Sequence, residues 1–391
     1  LYFVTLYIMQ YFSYIFCLLL SYYSYSQTNR CSTDEYRAFL KEKGFLNSSK
    51  KRIVDNNSSY SEYTIPVVIH VLYNNSDQNL SDERILSQID VLNNDYNALN
   101  TELSSVPQEF GDVVGNTGIS FCLAQVDPAG NNCSGINRVY TETDIFQAFT
   151  DEMKYSFSGG VDAWDTEQYL NIWVCDLSGN TLGFATMPGD VDENPELDGV
   201  VIDYRHFGVD LSSPDNIYYN LGRTGTHEIG HYFGLEHTFY AGCSDWDGCD
   251  DTPAISSPTY GCPDFPQQSC QSINMTMNFM DYTNDACMYM FTACQVNIML
   301  DVLLDDRSNL LNNTSCNVSI DEVNHISGVS IYPNPVTDRI YIDTQHTDVS
   351  VFDIYGRKLL FVNLSKNKFL DVSVLHSGTY FMELNSHVLK F

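Results

Sequence analysis

THEIGHYFGLEHTF, residues 226–239, is the stretch from which the fold can be predicted, and it carries three of the chain's nine histidines. Thr226 can cap a helix, and His227 and His231 follow at a spacing of four residues. On an α-helix that spacing turns two side chains only about 40° relative to each other. Both imidazoles should therefore face one point.

A third imidazole can reach the same point through a turn. Gly234 can take the left-handed conformation that ends a helix and swings the chain, so that His237 approaches as a third ligand. Three neutral imidazoles leave the fourth position of a tetrahedral zinc ion open for water, as a catalytic zinc site requires. Glu228 follows the first ligand directly. It can take the proton of that water as the water attacks a carbonyl carbon, and pass it to the leaving amine.

Two simpler interpretations compete with a catalytic zinc site. The segment could be a buried helix that happens to carry histidines, or a closed structural zinc site. The pattern H-E-x-x-H alone would leave both alternatives open. Gly234 and His237 at their fixed spacing favour the catalytic site.

The composition supports an exported protein with more than one domain. The chain has 391 residues, of which 43% are hydrophobic and 13% aromatic, so it can bury substantial cores. Twelve cysteines favour an oxidising compartment, where disulfides persist. The net charge of −31 would repel nucleic acid and anionic lipid, so neither is expected as a partner.

Residues 1–26 are predicted to be a signal peptide. The first twenty are apolar and aromatic, and the chain then becomes small and polar up to Ser26. The alternative is a transmembrane anchor, which is disfavoured because no charged cluster follows the apolar run. Removal of Cys17 with this segment leaves eleven cysteines, so at least one thiol should stay unpaired.

Charge divides the remaining chain into three segments. Residues 27–52 carry seven basic and three acidic side chains, residues 53–316 carry most of the acidic ones, and residues 317–391 are nearly neutral. We predict a short basic leader, a large acidic body and a separate tail with these limits.

The body is predicted to be α/β. Tyr63–Tyr73, YTIPVVIHVLY, has the length and composition of a buried strand, and a helix with one apolar face should begin after Ser81. Within that strand, His70 is expected to be a core residue rather than a ligand. Further short strands are predicted at Ile119–Ala124, Tyr169–Cys175, Leu182–Met187 and Gly199–Tyr204.

A second segment supports the zinc site. NFMDYTNDACMYMF, residues 278–291, follows the histidines by about 40 residues, at a distance where Met280 could form an apolar floor beneath them. Tyr282 could aim its hydroxyl at the developing oxyanion. A methionine-rich stretch by itself is also typical of plain core.

Together the two segments resemble the metzincin metallopeptidases, and among these the pappalysin family in its bacterial branch. Blocks similar to that family run in its order over residues 63–304, among them IPVVIHVLY, YLNIWVCDLSG, LDGVVIDYRHFG and CDDTPA. The resemblance implies a catalytic domain with a twisted mixed sheet, a zinc-binding helix and an irregular lower subdomain. It also implies a secreted zinc endopeptidase that acts on proteins and is made as a zymogen, and we expect a monomer.

The resemblance also assigns roles to residues. It implies that Glu228 is the general base and acid, that Tyr282 is a mobile donor to the transition state, and that Met280 forms the methionine turn. Asp285 matches the position whose carboxylate lines the S1′ pocket and favours a basic P1′ residue, Arg above Lys. The implied zinc ligands are His227, His231 and His237.

The segment GCSDWDGCDDTPAI, residues 242–255, is dense in carboxylates. Asp247, Asp250 and Thr252 could supply oxygens to calcium, and the resemblance implies a calcium site there. The alternative is a solvated acidic loop.

The resemblance implies two disulfides that brace the lower subdomain, Cys243 with Cys270 and Cys262 with Cys287. Spacing alone makes a bond between Cys122 and Cys133 plausible. The sequence leaves open the pairing of Cys175, Cys249, Cys294 and Cys316.

Cys31, in NRCSTDEY of the basic leader, is a candidate for silencing the enzyme. A thiolate can occupy the fourth position of zinc and displace the water, and similar leaders in the family are described as a cysteine switch. The opposite charges of leader and body fit an inhibitory segment. SKKRIV, Ser49–Val54, would be a natural cutting point. The alternative is an ordinary surface cysteine.

The tail is predicted to be a small β-sandwich. VSIYPNPVTDRIYIDT, VSVFDIYGRKLL and SGTYFMELN, between residues 329 and 385, are short strand patterns separated by turn residues. They resemble the C-terminal sorting domain of the type IX secretion system, which implies that machinery as a partner and a secreted or surface-attached product. The alternative is a sandwich that binds carbohydrate or protein.

Two functions of different class therefore compete. One is an active secreted zinc endopeptidase, and the other is an adhesion or binding protein on an inactive peptidase scaffold. Loss of Glu228 or of a ligand histidine would mark the second class, and all four residues are present.

Overall fold

The computed structural model describes residues 30–46, 61–212, 217–244, 247–313 and 315–316, and in the C-terminal part 330–332, 336, 338–343, 348–352, 358–364, 369–375, 378, 380–384 and 387–390. The predicted signal peptide, residues 1–26, and the predicted cutting point, Ser49–Val54, lie outside these residues. None of the helices in the described ranges is both long enough and apolar enough to cross a bilayer. The chain divides into two compact units between Val318 and Ser319.

A six-stranded mixed sheet forms the centre of the first unit. The strands are β1 (Tyr63–Tyr73), β2 (Ile119–Leu123), β3 (Ile136–Tyr140), β4 (Leu170–Cys175), β5 (Gly183–Ala185) and β6 (Val200–Asp203). Their order is β2-β1-β4-β6-β5, with β3 also paired to β1, and all pairs are parallel except β5 with β6. The α/β prediction is confirmed, although β2, β4, β5 and β6 are one to three residues shorter than predicted and β3 was not predicted.

The two faces of this sheet carry separate cores, because successive side chains of a strand point to opposite faces. The main core lies between the sheet and three helices, Asp82–Tyr96, Arg223–Tyr232 and Ala293–Leu304. A second core lies around Trp173 and Phe184, and it includes Tyr36 and Leu40 from the leader. His70 in β1 is completely buried, and its Nε2 lies 2.9 Å from Oδ1 of Asn171.

Within the described residues of the first unit, the α-helices are α1 (Thr33–Lys43), α2 (Asp82–Tyr96), α3 (Gln108–Gly111), α4 (Arg223–Tyr232) and α5 (Ala293–Leu304). The helix predicted after Ser81 is α2, and the hydroxyl of Ser81 accepts a hydrogen bond from the backbone N–H of Arg84. At the start of α5, Thr292 and Gln295 form a capping box.

The segment between α4 and α5 contains little regular structure beyond the small hairpin β7 (Gln268–Ser269) and β8 (Ser272–Ile273). Disulfides hold it instead. Cys243 pairs with Cys270 and Cys262 with Cys287, the two pairs that the resemblance implies. A third bond joins Cys249 to Cys294.

The predicted bond between Cys122 and Cys133 is wrong. Cys122 pairs with Cys316 instead, at a Cα–Cα distance of 5.8 Å. The backbone explains this, because the N–H of Gln125 donates to the carbonyl of Ser315 and so brings the end of the first unit beside β2. The thiol of Cys133 donates to the carbonyl of Ala124. Three cysteines of the described part are unpaired, namely Cys31, Cys133 and Cys175.

The second unit contains two antiparallel sheets around a shared core, as the β-sandwich prediction requires. The strands are β9 (Ser330–Tyr332), β10 (Arg339–Asp343), β11 (Asp348–Phe352), β12 (Lys358–Asn363), β13 (Phe369–Asp371), β14 (Phe381–Leu384) and β15 (His387–Lys390). One sheet has the order β13-β10-β9 and the other β12-β11-β14-β15.

Candidate active site

The helix α4 carries the first two predicted ligands, and its ends differ from the prediction in one respect. Thr226 is not the cap: the helix begins at Arg223, after Gly222 in the left-handed conformation with φ 81°. The hydroxyl of Thr226 instead donates to Oδ2 of Asp95 at 2.7 Å. At the other end, Gly234 has φ 90°, the left-handed turn that the sequence predicted.

The three histidines converge. Nδ1 of His227 donates to the carbonyl of Phe279 at 2.6 Å, and Nδ1 of His231 donates to the carbonyl of Leu235 at 2.7 Å. These bonds assign the proton to Nδ1, so Nε2 of each ring is left as a lone-pair donor. Nε2 of His237 lies 3.0 Å from Nε2 of His231.

The donor set fits a zinc ion. Nε2 of His227 is buried without a hydrogen-bond partner, and the Nε2 atoms of His231 and His237 lie 3.0 Å apart beside it, so the three rings converge on one point. Burial is the main cause that lowers the pKa of His227 well below its usual value and that of His231 to about 3, so both rings are neutral. Neutral imidazoles at this spacing are the ligands that zinc prefers.

The thiol of Cys31 belongs to the same cluster. One ligand atom from each of Cys31, His227, His231 and His237 lies within 4.8 Å of all the others, and all four residues are buried. The leader residue therefore lies where a fourth ligand would bind.

Glu228 lies beside this cluster. Its Oε2 accepts hydrogen bonds from the Cys31 thiol at 3.4 Å and from the Thr33 hydroxyl at 3.2 Å. Its Oε1 is buried and has no hydrogen-bond partner. Burial raises the pKa of Glu228 to about 8. Gly183 on β5 packs against this side chain, since a Cβ built there would lie 2.9 Å from Cγ of Glu228.

Met280 and Tyr282 approach the cluster from the other side. A Cβ on Gly230 would lie 2.5 Å from Sδ of Met280, so the methionine packs directly against the zinc helix. The hydroxyl of Tyr282 lies 3.2 Å from Nε2 of His237 and donates to the carbonyl of Cys31 at 3.3 Å. Burial raises the pKa of Tyr282 well above its usual value, so the hydroxyl keeps its proton.

Asp285 forms the floor of a pocket that the leader fills. Its Oδ2 accepts hydrogen bonds from the backbone N–H groups of Leu221 and Arg223, and its Oδ1 lies 3.1 Å from Nη2 of Arg30. The guanidinium of Arg30 also stacks on the ring of Tyr219 at 4.8 Å. The two N–H groups orient the carboxylate, and the buried carboxylate and the aromatic face together suit a cation.

Sequence reasoning missed two parts of the site. It did not place Arg30 in the pocket of Asp285, although Arg30 directly precedes Cys31 and Asp285 was expected to bind a cation. It also missed the buried ion pair in which Nε of Arg223 lies 3.2 Å from Oδ2 of Asp95. That pair ties α2 to the start of α4.

The predicted calcium ligands are only partly brought together. The hydroxyl of Thr252 lies 2.7 and 2.8 Å from the two carboxylate oxygens of Asp247. Asp250 is exposed to solvent. Calcium at this segment remains a prediction.

Two families match different parts of the chain. Residues 159–304 match the Peptidase M43 family, described as pregnancy-associated plasma protein-A. Residues 330–390 match the secretion system C-terminal sorting domain. Each match falls within one of the two compact units.

Curated relatives are extracellular metalloproteases of fungi. The chain is 38% identical to one from Sordaria macrospora over 152 residues, which are 37% of this chain and 51% of that protein. It is 32% identical to one from Arthroderma gypseum over 276 residues, which are 66% of this chain and 80% of that protein. The chain spans about half the length of the first three such relatives, 51%, 46% and 57%.

Solved structures give a similar result. Mature mirolysin of Tannerella forsythia, in complex with a cleaved peptide, is 44% identical with a TM-score of 0.62, and the match covers 65% of this chain and 97% of that one. A promirolysin mutant of the same organism is 40% identical with a TM-score of 0.62, and the match covers 72% of this chain and 91% of that one.

Proposed function

The chain belongs to the M43, or pappalysin, family of metallopeptidases, and from that premise we propose that it is a secreted zinc endopeptidase that hydrolyses peptide bonds in proteins. The observation that carries the proposal is the convergence of three inward-facing imidazoles beside the unpartnered Oε1 of Glu228. A scaffold retained only for binding would not need this oxygen free at a metal site.

The three imidazoles would hold the metal through Nε2. A zinc ion bound there supplies a Lewis acid that polarises the substrate carbonyl and lowers the pKa of a water molecule. The carbonyls of Phe279 and Leu235 keep two of the rings in the required tautomer and orientation.

Glu228 would perform the proton transfers. It would take a proton from the attacking water and deliver it to the nitrogen of the leaving peptide. Its Oε1 is buried without a hydrogen-bond partner, so this oxygen is available for both transfers. Tyr282 would donate its hydroxyl hydrogen bond to the oxygen on which negative charge develops, a bond that it now makes to the carbonyl of Cys31.

Asp285 would select a basic P1′ residue, with Arg favoured over Lys. The leader supports this proposal, because it places an arginine of its own in the same pocket. A planar guanidinium can pair with the carboxylate and stack on Tyr219 at once, whereas an ammonium makes only the first contact well. A neutral side chain would leave the carboxylate buried without a cation.

The leader would keep the enzyme latent. The Cys31 thiol lies in the ligand cluster, and the N–H of Ser32 donates to the carbonyl of Gly183 at 2.9 Å, so the leader follows the edge strand β5. Latency would end when the chain is cut between the leader and β1. We expect cleavage in Ser49–Val54 by another protease or by the enzyme itself.

The C-terminal unit belongs with secretion sorting domains, and the protein is secreted or attached to the cell surface. We expect type IX secretion machinery as the partner of this unit. Calcium bound near Asp247 and Thr252 would stabilise the disulfide-rich segment rather than take part in the reaction.

A casein zymogram with and without a zinc chelator tests the function. The activated protein should clear casein, chelation should abolish clearing, and zinc should restore it. An adhesion or binding protein on the same scaffold would bind zinc and show no clearing at any zinc concentration.

A further inference from the structure

A buried pocket on the sheet face opposite α4 holds the leader residue Tyr36. The Tyr36 side chain is completely buried, and its ring lies 4.7 Å from that of Phe184. Its hydroxyl donates to Oδ1 of Asp151 at 2.7 Å and accepts from Nζ of Lys154 at 3.0 Å. Both hydrogen-bonding capacities of the phenol are therefore met by residues of the body.

Lys154 is an unusual residue for such a place. It is completely buried, and it makes one further hydrogen bond, to the carbonyl of Leu197 at 2.6 Å. Its Nζ lies 4.6 Å from the centre of the Tyr36 ring and 5.3 Å from that of Trp173. Burial lowers the pKa of Lys154 to about 8. Burial of a lysine among aromatic rings destabilises the fold unless hydrogen-bond partners of its ammonium group are present.

All of these partners belong to the body except Tyr36. Removal of the leader would therefore leave an aromatic-walled hole with an ammonium and a carboxylate at its end. A phenol restores both hydrogen bonds, whereas a phenylalanine ring would fill the space and leave Lys154 and Asp151 without their partner. The chemistry of the hole selects tyrosine.

The pocket and Glu228 lie on opposite faces of the edge strand β5. Phe184, which forms one wall of the pocket, directly follows Gly183, the residue that packs against Glu228. The leader runs from Arg30 at Asp285, past Cys31 at the histidines, to Tyr36. Since Asp285 takes the P1′ side, Tyr36 lies on the side that receives residues before the scissile bond.

The geometry points to a tyrosine-binding subsite, formed by Asp151, Lys154, Trp173 and Phe184, which holds Tyr36 in the zymogen and a substrate tyrosine on the non-primed side in the mature enzyme. This inference rests on the proposed function, in which the leader is removed. It goes beyond the S1′ preference, because it assigns a second specificity determinant on the other side of the cleft.

Binding tests the subsite without catalysis. The full chain carries Glu228→Ala and a specific protease site in place of residues 49–54, and the leader is cut off and removed. The probe is the peptide STDEYRAFLKEKGFL, residues 32–46, which lacks Arg30 and Cys31. Its Asp34 lies 3.5 Å from Nδ1 of His237, a contact that is the same in every form of the probe. Tyr36→Phe in the probe should weaken binding about tenfold or more, because the buried Lys154 and the half-buried Asp151 each lose a hydrogen bond. Glu42→Gln, at an exposed position, should leave binding unchanged.

Asp151→Ala in the chain completes a double-mutant cycle, and it is expected to fold because Asp151 is only half-buried. The ratio of the Kd values of the phenylalanine and tyrosine probes should fall at least threefold in this variant. Asp192→Ala, which removes an exposed carboxylate, should leave that ratio unchanged. Equal binding of the two probes to the unmodified pocket would overturn the subsite.

Steady-state kinetics tests whether substrates occupy the tyrosine-binding subsite. Quenched peptides with one arginine at P1′ should be cut with a KM several-fold lower when a tyrosine, rather than a phenylalanine, stands three to six residues before it. Equal KM values at every spacing would overturn the substrate role. No cleavage of any peptide by the zinc-loaded enzyme would instead reject the proposed function, and the probe binding would still decide whether the pocket selects tyrosine.

Discussion

Arg30 of the leader and Asp285 of the body form a buried ion pair, with Nη2 and Oδ1 3.1 Å apart and both side chains almost fully excluded from solvent. The next residue, Cys31, lies among the histidines. Two adjacent leader residues therefore occupy the proposed P1′ pocket and the proposed metal site together. Because the leader is part of the same chain, these two contacts need no second molecule to bind, so the leader can inhibit the site while the site itself stays folded.

Asp285→Ala should abolish the preference for arginine at P1′. The substitution removes the buried carboxylate that pairs with the cation. Cleavage before apolar P1′ residues should therefore become more frequent, and kcat/KM for arginine substrates should fall about 10²-fold. A proteome-derived peptide library digested by the activated enzyme gives the profile. An unchanged arginine preference in the variant would show that another residue selects P1′.

Cys31→Ala should give a chain that is active, or that processes itself, without an added protease. The substitution removes the thiol from the ligand cluster and leaves the Arg30 contact in place. Hydrolysis of a quenched arginine peptide by residues 27–316 with and without the substitution is the measurement. Equal and high activity of both forms would mean that the leader does not silence the metal site.

If both forms are equally inactive, the leader blocks the cleft by a contact other than that of Cys31, and the contact of Arg30 with Asp285 is the first to test. Arg30→Ala in combination with Cys31→Ala then separates the two contacts, since the double variant should be active.

Tyr282→Phe should lower kcat about 10²-fold with little change in KM, because it removes one donor to the developing oxyanion and keeps the ring. The ring packs against Phe239 at 4.8 Å and should hold its position in the variant. Steady-state kinetics on one arginine peptide checks this, and a kcat equal to that of the parent would exclude Tyr282 from the reaction.

The local parts of the site could be predicted from sequence, and the distant contacts could not. Helical periodicity places His227 beside His231, and a glycine at position 234 readily takes the left-handed conformation of the turn that leads to His237. These features therefore follow from neighbouring residues. Arg30 and Asp285 are 255 residues apart, and nothing in either local sequence specifies their contact. The disulfide predicted for Cys122 was wrong for the same reason. Its partner Cys316 is 194 residues away, whereas spacing favoured the nearer Cys133.

His70 should make the first unit less stable in acid. Burial lowers its pKa from 6.5 to about 4, so the folded state binds fewer protons than the unfolded state between these values. The stabilisation that comes from a neutral His70 is fully present above pH 6.5 and is lost as the pH falls to about 4. The free energy of unfolding changes by about 3 kcal/mol over this range.

His70→Gln keeps an amide for Asn171 and cannot titrate, so its unfolding free energy should fall less steeply over this range. Urea unfolding of both proteins in chelator checks the difference, because the zinc ligands then contribute equally. Parallel pH curves would show that His70 does not titrate between the two states.

Hydrolysis by zinc-loaded Glu228→Ala, with its leader removed, tests the central claim most directly. The variant should bind one zinc ion per chain, as the unchanged histidines require, and should cut an arginine peptide at least about 10³-fold more slowly than the parent, because no group takes the proton of the attacking water. Cleavage at the parental rate by this zinc-loaded variant would contradict the assignment of Glu228 and the mechanism that depends on it.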